Sequence, residues 1–218
     1  MILVPDTTVA LADADGEPAL RRVVRSAWSG GALPIVVVAR DGTALAAALA
    51  DLPAALVKAP AAEPGIAWFV HGARASKAAV ADVTAALLWP FRYVWIDPET
   101  VTSLLEAYGA VPGRILRPSF GARAGFPVLL PASLLDRLAG MTGLHAEEAV
   151  ARLVDEGTEQ RLLELGDPGI AHDVSTPRSE LPAYHGPPGP SGGPPPDWNA
   201  ALAAHAQRQP KGRARRSR

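Results

Sequence analysis

Cysteine is absent from the chain, so no disulfide, thiolate metal site or thiol nucleophile is available to it. That leaves the compartment open but suits a reducing one, and a cytoplasmic location is expected. Long apolar runs are missing as well. None approaches the roughly 20 residues that a membrane-spanning helix needs, and residues 1–6 lack the charged and long apolar regions of a secretory leader. Lysine is confined to Lys58, Lys77 and Lys211, and the net charge is −1, so the chain as a whole is not drawn to nucleic acid or to a membrane surface. Aromatic residues are scarce at 6%, which makes each tryptophan worth locating. Alanine, proline and glycine fill the place of these residues, a composition that reflects a GC-rich coding sequence more than a function. A length of 218 residues suits one α/β domain with a tail.

The order of apolar patterns points to a doubly wound sheet. A short strand is expected over residues 8–11. From Pro18, Leu20, Val23, Val24, Ala27 and Trp28 recur at helical spacing, and Gly30-Gly31 ends that helix. Residues 34–39 form a continuous apolar run, as expected of a parallel strand covered on both faces. A helix over about 43–52 and a strand over 55–58 follow. Residues 66–70 read as a strand or pocket rim, 75–85 as a helix, and 98–108 as a helix. Further strands are expected over 114–118, 126–130 and 161–165, the last at an edge, with helices near 132–139 and 146–155. From Pro182 to Pro196 the chain is dominated by Pro, Gly and His and cannot build a packed element. The chain is therefore divided into a folded domain, 1–181, and a disordered Pro/Gly-rich and basic tail, 182–218. A solvated tail is favoured over one that binds nucleic acid, and a protein partner is the tail's other prospect.

The most informative stretch is Leu-Leu-Trp-Pro-Phe-Arg-Tyr-Val-Trp-Ile-Asp-Pro-Glu-Thr, residues 87–100. An apolar run ends at Asp97, which can cap a helix opened by Pro98. In an open α/β sheet, the loop beyond a strand's carboxyl end is where ligands sit. This stretch resembles the MobA-like NTP transferases, whose members carry a strand, an Asp-containing loop and then a Pro-Glu-Thr helix start. Three further words agree with the resemblance in order: Gly16-Glu17-Pro18-Ala19-Leu20 with Val23-Val24, the run from Arg117 through Gly121, Arg123, Gly125, Phe126 and Pro127 to Leu130, and Gly169 to Pro177.

The resemblance implies a three-layer α/β/α sandwich with a mostly parallel sheet, the GT-A-like nucleotidyltransferase fold. It also implies transfer of a nucleotide from an NTP such as CTP or GTP to a phosphorylated small molecule such as molybdopterin, with Mg2+ holding the phosphates. Arg92, Arg123, Gly125 and Phe126 fall at substrate-binding positions, and Asp173 at a metal ligand. Departures stand beside these matches. The family's metal-holding Asp position is occupied by Arg92, its Gly-His-Pro histidine by Phe126, and a second Asp by Ser175. The family's Gly-rich loop has no counterpart, and the fifteen residues before Gly16 are too few for a buried first strand, that loop and the segment after it. A misassigned start codon would account for that loss but not for the others. Asp173 facing Arg92 reads as an ion pair rather than a Mg2+ site. A non-catalytic nucleotide- or partner-binding relative is therefore the alternative to an enzyme.

Several residues have plainer readings. Residues 121–125 form either a phosphate loop or a plain hairpin, and His71 is a loop residue. Trp68, Trp89 and Trp95 are core aromatics, with Trp95 also able to stack on a base or pterin ring. His145, Glu147 and Glu148 are first-turn residues, and His172 and Asp173, as strand neighbours, point to opposite faces.

Overall fold

The first three apolar residues after Met1 are all buried and form strand β1, Ile2–Val4. A buried first strand thus fits within the residues before Gly16, followed by a short helix rather than a Gly-rich loop. The computed structural model describes residues 1–141 and 143–186. Pro5 and Asp6 end β1, and the Asp6 carboxylate accepts from the Thr8 and Val9 N–H groups, opening the short helix α1, Thr7–Leu11. The strand expected over 8–11 is this helix, because a capping carboxylate turns the backbone where weak β propensity suggested extension.

The next elements follow the expected order: α2 (Ala19–Ser29), β2 (Ile35–Ala39), α3 (Thr43–Leu49) and β3 (Ala54–Lys58). Residues 66–70 are not a strand. They open α4 (Ile66–Ala79), which buries Ile66, Trp68, Phe69, Val70 and Ala73. A short apolar run cannot be told from a buried helix by period alone, and the small residues Gly72, Ala73 and Ser76 continue the buried face. Gly72 lies so close to β2 that an added Cβ would meet Val38 at 2.7 Å. This helix stops at Ala79, and Ala85, expected at a helix end, instead begins strand β4, Ala85–Pro90. The chain continues with α5 (Pro98–Ala110), β5 (Ile115–Phe120), β6 (Arg123–Ala124), β7 (Val128–Pro131), α6 (Leu135–Ala139), α7 (Ala146–Asp155) and β8 (Gln160–Glu164).

The sheet runs β3-β2-β1-β4-β7-β5-β6, with β8 pairing on β5. Strands β3, β2, β1 and β4 are mutually parallel, β7 is antiparallel to both β4 and β5, and β8 is parallel to β5. It is a mostly parallel sheet with helices on both faces. Alternation along the strands sorts the two cores. Ile2, Val4, Val37 and Trp89 pack with Leu20, Val23 and Val24 of α2 and Val101 and Leu104 of α5. Leu3, Val36, Val38 and Leu88 pack with α4, α6 and α7 on the other face. The carboxyl ends of β1, β4 and β5 consequently open on one side, where an α/β sheet leaves its crevice. Among the described residues, no helix is long and apolar enough to cross a membrane.

Residues 182–186, expected in the tail, lie against the folded body. Tyr184 Oη donates to Glu99 Oε2 at 2.8 Å, and the His185 N–H donates to Gly166 O. The rest of the tail, 187–218, lies outside the described residues.

Candidate functional site

Strand β4 ends at Pro90 rather than at Ile96, and residues 91–97 cross the carboxyl edge of the sheet as an irregular loop. Phe91 and Val94 are buried beneath it, which leaves Arg92 facing outward. Arg92 does not pair with Asp173, as its place in the sequence suggested. Its Nη2 instead contacts Glu147 Oε1, in the first turn of α7, and donates to Tyr93 Oη at 3.0 Å. Its guanidinium also stacks over the Tyr93 ring, 5.0 Å from the centroid. Tyr93 in turn stacks on Phe126 at 5.1 Å, and the Arg117 guanidinium lies over Phe126 at 5.6 Å. The result is a column of cation, two aromatic rings and a second cation, an arrangement favoured by the ring quadrupoles.

Asp173 is satisfied locally. Its Oδ1 accepts from the Ser175 N–H at 3.0 Å and the Ser175 hydroxyl at 2.5 Å. That hydroxyl is the main reason its pKa lies below the ordinary carboxylate range, with Arg92 adding a smaller electrostatic pull. The Arg92 carbonyl accepts from the Val174 N–H at 2.8 Å, tying the two loops together. Burial lowers the pKa of Arg117, opposed by the charges of Glu147 and Tyr93.

Two cavities meet at Arg92. One, of about 750 Å³, is lined mainly by apolar groups, among them Leu3, Pro5, Val9, Phe91 and Val174, with Asp6, Arg92 and Glu147 at its polar edge. The other, of about 420 Å³, is lined by Arg92, Tyr93, Arg123, Ala171, His172, Asp173 and Thr176. His172 and Asp173 belong to a loop rather than a strand and line the same cavity. His172 Nε2 is buried with no hydrogen-bond partner among the described residues. The structure thus gathers Arg92, Arg123 and Asp173, three of the residues singled out from sequence. Gly125 and Phe126 sit behind them. Phe126 is 1% exposed and supports Tyr93 rather than a ligand, and Gly125 is buried against Ile170, whose carbonyl would lie 2.2 Å from an added Cβ.

Backbone anion sites in the crevice are closed by the chain's own carboxylates. Asp6 takes the first free amides of α1. The 121–125 segment is a hairpin with Gly121 and Ala122 at positive φ, and its Gly121 and Ala122 N–H groups donate to Glu164 at 3.1 and 3.3 Å. Glu147 and Glu164 were missed as site residues, since nothing in their local sequence reveals partners 40 to 55 positions away, and Arg117, whose partners Gly125 and Phe126 are near in sequence, was missed as well. Trp95 has one ring face under Arg22 at 5.2 Å, and its Nε1 donates to Thr176 O. His71 lies exposed on α4, not in a loop. Among the described residues, no three His, Cys, Asp or Glu side chains converge to hold a metal ion.

The sequence profile of the MobA-like NTP transferase domain matches residues 9–161. The chain belongs to that family. This MobA-like domain has no significant match among curated proteins, but its fold recurs in solved nucleotidyltransferase-type structures. It superposes on Rv0371c of Mycobacterium tuberculosis with a TM-score of 0.58 at 17% identity, covering 75% of this chain and 85% of that one. Rv0371c has also been solved in complex with manganese. CMP:2-keto-3-deoxy-manno-octonic acid synthetase complexed with CTP superposes with a TM-score of 0.58 at 15% identity, over 94% of this chain and 98% of that one. The molybdopterin-guanine dinucleotide biosynthesis protein A of Archaeoglobus fulgidus gives 0.53 at 15% identity, over 75% and 81%. At these identities the likeness is one of fold.

Proposed function

We propose that this MobA-like domain binds a nucleotide in the 750 Å³ cavity and does not perform metal-dependent nucleotidyl transfer. The observation that carries this reading is the Arg92–Glu147 ion pair at the carboxyl end of β4, where the family resemblance calls for a metal-holding carboxylate. Nucleotidyl transfer needs the triphosphate charge neutralised and the α-phosphate oriented for attack as pyrophosphate leaves. Mg2+ takes carboxylates and phosphates in near-octahedral geometry. Here the donor set does not fit it: Asp173 is engaged by Ser175, and Glu147 by a guanidinium. A fixed cation supplies charge, but it offers no coordination positions with which to align two reacting oxygens. The apolar wall of Leu3, Pro5, Val9 and Phe91 suits a base and sugar.

A second reading, retained transfer to a phosphorylated acceptor, is favoured by one observation: two cavities share Arg92, as a donor site and an acceptor site would. Calorimetric titration with CTP, GTP and ATP, each in Mg2+ and in EDTA, separates the two. The proposal expects affinity that is unchanged by EDTA and no pyrophosphate release with molybdopterin. Binding that requires Mg2+, with turnover, would establish the transferase reading instead.

A further inference from the structure

A further cavity lies at the opposite end of the sheet from the crevice. It has a volume of about 260 Å³ and opens at the amino ends of β1, β2 and β4, between the loop before β2 and the loop before β4. Ligand clefts commonly run to roughly 300–1,000 Å³, so this one suits a body smaller than a nucleotide. Its walls are mainly apolar, with Ile35, Val83, Leu105 and Leu129 among them. Leu33 and Val80 also line it and are 62% and 42% exposed, so apolar surface on its rim stays wet until something covers it.

Two polar groups interrupt this lining. Ser76 of α4 is 1% exposed, and its hydroxyl meets only the Met1 thioether, at 3.9 Å. Sulfur is a weak acceptor, so a buried hydroxyl on the wall of this cavity lacks a full partner. Asp82, in the loop before β4, is exposed and carries the only ionised side chain among the lining residues. It has no ion-pair or hydrogen-bond partner among the described residues. Two further polar groups are engaged: Tyr108 Oη donates to Thr84 O at 3.1 Å, and the Met1 amino group donates to Leu87 O at 2.9 Å. Burial lowers the pKa of that amine to about 5, so it brings no competing charge at neutral pH.

We propose that this cavity is a second ligand site, separate from the crevice, for a small hydrophobic amine that carries a hydroxyl. The apolar body fills the slot and covers Leu33 and Val80, the ammonium pairs with Asp82, and the hydroxyl supplies the partner that Ser76 lacks. An anion is repelled by the single carboxylate, and a wholly apolar ligand would leave the Ser76 hydroxyl unpaired. The site goes beyond the nucleotide-binding reading and does not depend on it.

The test is amide NMR titration of the full chain with tyramine and with three relatives that each change one group. Phenethylamine lacks the hydroxyl, para-ethylphenol lacks the ammonium, and para-hydroxyphenylpropanoate reverses the charge. Saturable shifts are expected at Leu33, Val80 and Val83, with Arg92 and Tyr93 in the crevice unmoved. Tyramine is expected to bind several-fold more tightly than phenethylamine or para-ethylphenol, and the carboxylate more weakly than either. Asp82→Asn should remove the advantage over para-ethylphenol, and Ser76→Ala the advantage over phenethylamine, with thermal melting as a check that both variants are folded. Para-ethylphenol binding as tightly as tyramine would overturn the amine class, and phenethylamine doing so would overturn the part given to Ser76. Shifts confined to the crevice, or no saturable binding, would overturn the site itself and leave the nucleotide-binding reading untouched.

Discussion

At Gly125 the backbone passes against the 3₁₀ turn Pro168–Ile170, with its N–H donating to Pro118 O and no room for a side chain. Gly125→Ala is expected to cost about 1–3 kcal/mol or more through overpacking against backbone that cannot move aside. In a thermal melt of a domain this size that is a fall of about 2–4 °C per kcal/mol, and an unchanged midpoint would show that the turn can shift. Phe126 fills the core beneath Tyr93, and Phe126→Ala is expected to cost about 3–5 kcal/mol. The same change should weaken any ligand binding through Arg92, because the Tyr93 ring over which its guanidinium stacks loses its support. Both positions were legible as part of a site from their motif, but not as its hidden support. Sequence spacing shows which residues travel together, not which of them reaches the surface.

The loop linking β8 to the final described segment turns on one buried carboxylate. Asp167, 2% exposed, accepts from the Asp97 N–H, the Thr100 hydroxyl and the Gly169 N–H, and so ties this loop to the start of α5. Burial raises its pKa above the ordinary carboxylate value, against the pull of those three donors. Its contribution to stability is therefore fullest below the ordinary carboxylate pKa and declines as pH rises through the raised, folded-state value. Asp167→Asn is expected to remove that slope from a pH series of melts. It should also lower stability by about 1–3 kcal/mol, because an amide nitrogen would face a donor. A retained slope would assign the pH dependence to another group. The Asp97-Pro98 start of α5 was plain in the sequence because cap and first-turn proline are local signals, and Asp97 Oδ1 does accept from the Glu99 N–H. Asp167-Pro168 has the same local form, and Asp167 Oδ1 accepts from the Gly169 N–H, but its tie to α5 gave no signal, since its two partners there lie about 70 positions earlier. Helix α4 was misread for a related reason. Its apolar opening is buried by α6 and β2, and burial on every side erases the helical period that marks a surface helix.

Over the whole molecule, the alternation of strands and helices, and more strongly the ordered motif matches, indicated a mostly parallel sheet with a crevice at the carboxyl ends. The crevice's charge arrangement was not, because each carboxylate that closes an anion site reaches it from a different element: Asp6 from the β1 end, Glu147 from α7 and Glu164 from β8. The central claim is that the Arg92–Glu147 pair stands in place of a divalent ion. The most direct test is titration of the full chain with Mn2+, followed by electron paramagnetic resonance, with and without nucleotide. Arg92→Asp serves as the comparison, since it would set a third carboxylate near Glu147 and Asp173. The account predicts no saturable Mn2+ binding by the natural chain in either condition, and a gain of binding in Arg92→Asp. Stoichiometric Mn2+ binding by the natural chain, strengthened by nucleotide, would contradict it and return the domain to metal-dependent chemistry.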